Sequence, residues 1–346
     1  MLLFIAKRLV WAVMMVAIVS LITFVIFLGL PDRTVNSRQG LVTPNLQAQW
    51  HLDGHSMPEK YVIFLKHVAL HGDFGQSLRQ PLKVRDMVVT ALPVTASLVI
   101  GGTLMFLLLA FPIGLFSALR PRSLLDKGLM TLLLIGVSAH PVFLGLILSY
   151  FLGFKWHVFP IAGYCNIHYH AGDICGGPRY WAYHMVLPWI TFAFLFAALY
   201  ARMIRASVLE ALEEDYVRTA RAKGAGSWRI LRRHVARNAL LPVVSMLGMD
   251  VGLAFGGAIF IETVFDLPGI GQQLYRGLGS ADEPVILGVA LLVSVAVVLA
   301  NLLADLLYCV VDPRIGLRTN RHGATEVELR RRRRTHRREL TEPARG

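Results

Sequence analysis

At 346 residues the chain has the length of about two soluble domains, but 55% of it is hydrophobic, only 16% is charged, and its mean hydropathy is +0.55. A water-facing surface takes about a quarter of a chain's residues as charges, so this chain has a solvent other than water. Its net charge of +13 is concentrated in two segments: nine Lys/Arg against four Asp/Glu in 200–238, and eleven against five in 312–346. That distribution suits membrane topology or an anionic surface better than nucleic acid. The hydrophobicity and a count of three cysteines exclude disordered, collagen-like and disulfide-scaffold classes.

In chain order the apolar runs are 9–30, 87–119, 128–154, 180–201, 238–261 and 285–311, the fifth interrupted by Asp250 and the sixth by Asp305. Each can supply the roughly 20 residues that cross a bilayer's hydrocarbon, and the second begins to span after Pro93. The pattern predicts an all-α polytopic membrane protein with six transmembrane helices. Lys7 and Arg8, the 120–127 turn (Arg120, Arg122, Lys127), the 202–237 loop and the C-terminal tail then share one side, while the short loops opposite hold only Lys155 with Arg179, and Arg276. This positive-inside bias puts both termini in the cytoplasm. The first run is too long for a signal peptide and lacks a small-residue cleavage site, so it is an uncleaved anchor.

Between the first two runs, Pro58-Glu59-Lys60 predicts a short helix with Tyr61, Phe64, Leu65 and Val68 on one face, broken by Gly72 and Gly75 and packed on the outer ends of the spans. The organisation expected is a first helix over 1–30, an extracytoplasmic segment over 31–91, a transmembrane domain over 92–314 with an inner loop at 205–238, and a basic, disordered tail over 315–346.

Enzyme readings find no support, because the chain has no G-x-x-x-x-G-K-[ST], H-E-x-x-H or G-x-S-x-G. Cys165, His168, His170, Asp173 and Cys175 fall in an outer loop, where two readings stand: a Cys165–Cys175 disulfide, favoured by the oxidising side, or a metal site. Cys309 is a small buried filler. Asp250, deep in the fifth run, either lines a polar pathway or is a hydrogen-bonded packing residue; Asp305 is an interfacial anchor. Gly252, Gly256 and Gly257 allow a neighbouring helix to approach. The arginines at 330–334, with Arg337 and Arg338, suit an anionic leaflet or disorder.

The inner loop is longer than a connector needs. It reads as two short helices separated at Gly224-Ala225-Gly226, with Gly224 ending the first at positive φ and Ser227 capping a second that starts at Trp228. Asp215-Tyr216-Val217-Arg218-Thr219-Ala220-Arg221-Ala222-Lys223-Gly224, followed by Arg237-Asn238-Ala239-Leu240-Leu241-Pro242, resembles the coupling loop of ATP-binding-cassette importer permeases, in the variant of the dipeptide/oligopeptide/nickel branch. Arg218 stands where the general pattern has Glu. Further matches follow in order: Gly72-Asp73-Phe74-Gly75-Gln76-Ser77, Leu92-Pro93-Val94-Thr95, the Glu262-to-Gly271 stretch of E-x-x-F-x-x-P-G-x-G form, and Asp305 to Tyr308 with Asp312-Pro313-Arg314.

The resemblance implies the type I importer permease fold and, from the long segment after the first span, the first of two paired permeases. It implies a second permease, two cytoplasmic ATPases that carry ATP and Mg, an extracytoplasmic solute-binding protein and a peptide substrate, with no cofactor on this chain and no nucleic acid. Residues Asp215, Tyr216, Arg218, Thr219, Ala220, Arg221, Ala222, Lys223, Gly224 and Trp228 would couple to the ATPases, Ala220 as a small residue against their groove and Trp228 by anchoring the second inner helix. Asp250 and Glu262 would line the translocation pathway. Nickel chelates and glutathione are cargoes elsewhere in this family. A self-contained secondary transporter or channel is the competing class; it needs coupling carboxylates at mid-membrane and an internal repeat, and the sequence has one such Asp and no clear repeat.

Overall fold

The computed structural model describes residues 2–26, 46–52, 54–167, 175–231 and 235–311. Among them the chain forms α1 (Leu2–Phe24), α2 (Leu46–Gln49), α3 (Met57–Leu65), α4 (Val84–Leu119), α5 (Leu124–Ser138), α6 (Pro141–Leu148), α7 (Pro178–Glu213), α8 (Asp215–Ala222), α9 (Ser227–Ile230), α10 (Ala236–Val264), α11 (Ile270–Ser280) and α12 (Glu283–Val311), and no strand. In hydrocarbon every backbone N–H and C=O needs a partner within the chain, and helices supply it locally. Among the described residues, all six apolar runs fall largely on helices, and the chain is an all-α, multi-pass membrane protein.

Among the described residues, α4, α7 and the Glu283–Leu302 part of α12 are each long and apolar enough to cross a membrane, while α1 and α10 contribute the shorter apolar stretches Arg8–Phe24 and Ala254–Val264. The third run departs from a straight span. It divides into α5 and α6, set at 110° to each other. Ala139 and His140 are extended (ψ 134° and 139°), because Pro141 disfavours the α region for the residue before it and has no N–H to continue α5. His140 then starts α6, its Nδ1 accepting from the Val142 N–H at 3.4 Å. A second departure is at α4, which begins at Val84 and continues through Pro93, so the boundary expected at 91/92 falls inside a helix.

The centre of the fold is the seam between α4 and α7. Leu98, Phe106 and Ala110 of α4 meet Phe192, Ala193, Phe196, Ala197, Tyr200, Ala201 and Ile204 of α7. Lipid tails are as apolar as leucine, so helices in a membrane hold together by close contact, which small residues permit. Gly114 is the α4 glycine that meets the α7 backbone itself: a Cβ there would lie 2.6 Å from the Ala201 carbonyl oxygen and 2.9 Å from Ile204 Cβ. Trp189 adds a polar tie, its Nε1 donating to the Ser97 carbonyl at 3.0 Å.

Among the described residues, the segment between α1 and α4 folds as expected in outline. Ser56 caps α3, its N–H donating to Glu59 Oε2 at 3.0 Å in a capping box, and a π-helical turn, Lys66–Leu70, follows before Gly72. Phe64 is buried with Phe24, Trp50, Leu52, Leu287 and Leu291, and Tyr61 and Val68 pack around it, which seats the segment on α1 and α12. Leu65 is exposed, and Ile63 flanks this cluster in its place.

Gly114→Val is expected to prevent the α4–α7 contact and sharply reduce monodisperse protein recovered in detergent. Gly128→Ala, where an added Cβ meets nothing within 4 Å, serves as the control and leaves recovery unchanged in size-exclusion chromatography.

Candidate coupling surface and its supports

Thirty-six residues of α7 span about 54 Å at 1.5 Å per residue, well beyond the roughly 30 Å of hydrocarbon. The helix therefore carries its last turns out of the membrane. What looks like the start of a loop at Arg205 in the sequence is a continuous stalk as far as Glu213. Glu214, extended at φ −65°, ψ 146°, turns the chain into α8.

The turn from α8 to α9 is a full Schellman closure. Gly224 N–H donates to the Arg221 carbonyl at 2.9 Å and Ala225 N–H to the Ala220 carbonyl at 3.1 Å. Gly224 has φ +77°, the left-handed region in which a side chain is strained even though the space around it is open. The Gly226 carbonyl accepts from Arg229 and Ile230 N–H, so α9 starts at Ser227, one residue earlier than expected. Val217 and Ile230 are buried and join Leu231 and Val235 in the main core, which folds the α8–α9 unit back on the base of the bundle.

Two expectations change here. Ala220 is half-buried against this chain's own core, opposite Ala225 in the Schellman turn, and so does not face outward. Trp228 is 71% exposed and so does not anchor the second inner helix by packing; Ile230, 2% exposed, does that. The outward face instead carries Asp215, Tyr216, Arg218, Thr219, Arg221, Ala222, Lys223, Gly224 and Trp228. Arg218 and Asp215 approach to 3.6 Å, but both are open to solvent, and such a pair adds little. Thr219 Oγ1 donates to the Asp215 carbonyl within α8 at 2.9 Å.

Glu262 has a different task from facing a pathway. Its side chain is completely buried. Thr95 Oγ1 donates to Oε1 at 2.6 Å, the Gln272 N–H donates to Oε2 at 3.0 Å, and Thr95 Oγ1 in turn accepts from the Ile270 N–H at 2.8 Å. The carboxylate thus caps the free N–H groups of α11 and ties them to α4. Gly269 is required by proximity, since a Cβ there would lie 2.2 Å from the Glu262 carboxyl carbon. The E-x-x-F-x-x-P-G-x-G and L-P-x-T stretches, remote in sequence, are two halves of one knot. Asp250 is half-buried and accepts from the Tyr200 hydroxyl at 2.7 Å across the α7–α10 contact, the geometry of the packing reading.

Two further ties fix the opposite side. Asp282, unremarkable in sequence, accepts from the Ser77 hydroxyl and, at 3.0 Å, from the Leu78 N–H, which joins the G-D-x-G-x-S element to the α11–α12 turn. Cys165 and Cys175 form a disulfide; this removes the thiolates that a metal site in that loop needs. His168, His170, Asp173, the 312–346 segment and the side chains of Asp305 and Cys309 lie outside the described residues.

Sequence reasoning also missed Asp126. It is buried in the first turn of α5 and accepts from the Ser117 hydroxyl, from the Arg122 N–H at 2.9 Å, and from Arg205 through Nε at 3.2 Å and Nη2 at 3.1 Å. The available signal was an aspartate three residues after Ser123, which caps α5; nothing in the sequence pairs it with an arginine 79 positions away.

A helical bundle with a projecting, turn-locked α8–α9 unit is the form of a membrane-embedded transport subunit. Residues 110–317 match the family of binding-protein-dependent transport system inner membrane components, and the chain belongs to that family. It is 37% identical to a putative peptide permease protein of Brucella suis biovar 1 over 78% of this chain and 83% of that one. Against the dipeptide transport system permease protein DppB it is 32% identical in Bacillus subtilis, over 87% of this chain and 94% of the relative, and 33% identical in Escherichia coli K12, over 91% and 99%.

Thr95→Val removes a donor from a buried carboxylate and an acceptor from the α11 N-terminus, a loss of about 2 kcal/mol. It should lower the thermal unfolding midpoint of the detergent-solubilised protein. Thr90→Val, whose hydroxyl bonds only to carbonyls of its own helix at an exposed position, should leave that midpoint unchanged.

Proposed function

We propose that this chain is one of two paired pore-forming permeases of an ATP-driven importer of dipeptides or oligopeptides, with both termini in the cytoplasm. Two separate ATPases bind ATP and Mg, a solute-binding protein delivers the peptide from outside, and this chain does no covalent chemistry. The peptide class is supported by the relatives, which are named as peptide and dipeptide permeases, and by the sequence of α8. The observation that carries coupling is the exposed Trp228 beside the Gly224 turn, on a unit mounted at the end of a continuous α7.

In this reading Tyr216, Arg218, Arg221, Lys223 and Trp228 meet the ATPase, while Val217, Ala220 and Ile230 seat the unit on the bundle. Closure of the ATPases around ATP displaces α8–α9, and α7 carries the displacement into the spans, exchanging outward and inward access. An exposed tryptophan at the tip of a small rigid unit suits an interface anchor, because a few large aromatic side chains dominate most binding energies.

In the reconstituted complex, Trp228→Ala should weaken ATPase attachment by roughly tenfold or more. Gly224→Val, strained at positive φ, should misdirect α9 and reduce peptide uptake relative to ATP turnover. Co-purified ATPase, peptide uptake and ATP hydrolysis are the measurements. Normal values for both variants would reduce this unit to a connector, and ATP-independent uptake by the chain alone would favour a secondary transporter.

A further inference from the structure

The Asp126–Arg205 pair sits where three elements converge. Asp126 belongs to the first turn of α5, the Ser117 hydroxyl that donates to it belongs to the end of α4, and Arg205 belongs to the stalk portion of α7, eight residues before its end. Asp126 is 6% exposed and the Arg205 side chain 30% exposed. Both carboxylate oxygens are engaged, one by Nε and one by Nη2 of the same guanidinium. A two-point fork of this kind resists rotation as well as separation, which a single ammonium contact does not.

An ion pair with one buried partner, as here, is a poor device for stability alone, because the desolvation of the buried carboxylate offsets much of the attraction. Its directional geometry is what an apolar contact lacks. From Asp126, α5 runs to the 110° break before α6, where the His140 ring meets the Phe260 ring of α10 edge-on at 5.0 Å. A connected path therefore leads from α8–α9 through α7 and Arg205 to Asp126, along α5 to the break, and on to α10.

We propose that the Asp126–Arg205 pair is the joint through which displacement of the α8–α9 unit reaches the α5–α6 break, so that Arg205 is a positioning residue for coupled transport. The proposal rests on the transport function above. Without the fork, α7 still moves with the ATPases, but α5 no longer follows it. ATP is then hydrolysed without the matching change in access.

The test uses the full complex in proteoliposomes, with dialanine as the transported probe. In Arg205→Gln the ATPases should remain attached and hydrolysis should persist, while dialanine taken up per ATP falls by roughly tenfold, within the range that a lost coupling contact carries. Arg205→Lys keeps the charge without the fork and should fall between Arg205→Gln and wild type. A purely structural role would lower the thermal midpoint or the yield of complex and leave the uptake-to-hydrolysis ratio unchanged, and that result overturns the proposal. Failure of both variants to assemble overturns it as well, marking the pair as a folding staple. An effect of Gly224→Val and Trp228→Ala on coupling, with none at Arg205, sinks the joint alone; normal transport in all four variants removes the coupling reading itself.

Discussion

The close contact of α4 with α7 is the constraint on which the rest of the molecule depends. Two helices of 36 residues each meet along glycine and alanine positions with so little clearance that Gly114 lies against the Ala201 backbone. In a membrane no hydrophobic force presses helices together, and this kind of packing substitutes for it. Because α7 is continuous to Glu213, the seam also fixes the direction in which the α8–α9 unit projects. The inner unit and the spans are thereby one mechanical body.

Carboxylates fix the ends of that body, each by a different local arrangement. Glu262 caps α11 and holds Thr95 of α4; Asp282 holds Ser77 and Leu78; Asp126 holds Ser117, Arg122 and Arg205. Each acceptor takes at least one donor from an element distant in sequence and is satisfied by several donors in all, which is the condition for burying such a group at tolerable cost. Each tie involves one helix end, the start of α11, the α11–α12 turn or the start of α5, where backbone N–H groups are free to be bonded.

The inner unit follows a similar division. Val217, Ala220 and Ile230 face the bundle, and Trp228 with the basic residues of α8 faces away. Gly224 separates the two helices, since a left-handed residue is what lets the chain reverse there with its carbonyls satisfied. A partner surface reached through Trp228 would find a backbone already fixed in place, so little ordering is needed on contact.

Much of this was legible in the sequence. Run length and hydropathy placed the helices long and apolar enough to span, α4, α7 and the Glu283–Leu302 part of α12, because burial in lipid demands a long stretch of predominantly apolar composition. Gly224 was recognisable as a helix end because its φ is a local property of a Gly-Ala-Gly break, and the start of α3 because Pro58 and Glu59 suit a first helical turn. Tertiary structure alone decided the rest. The run at 128–154 is apolar throughout, and only the backbone about Ala139 and His140 shows that Pro141 divides it. Ala220 and Trp228 exchange their expected faces, because orientation on so short a helix is set by which side chain finds the core. Glu262 and Asp126 owe their roles to Thr95 and Arg205, 167 and 79 positions away. Composition and periodicity report what a residue can bury; which donor meets a buried carboxylate is fixed only when the helices pack.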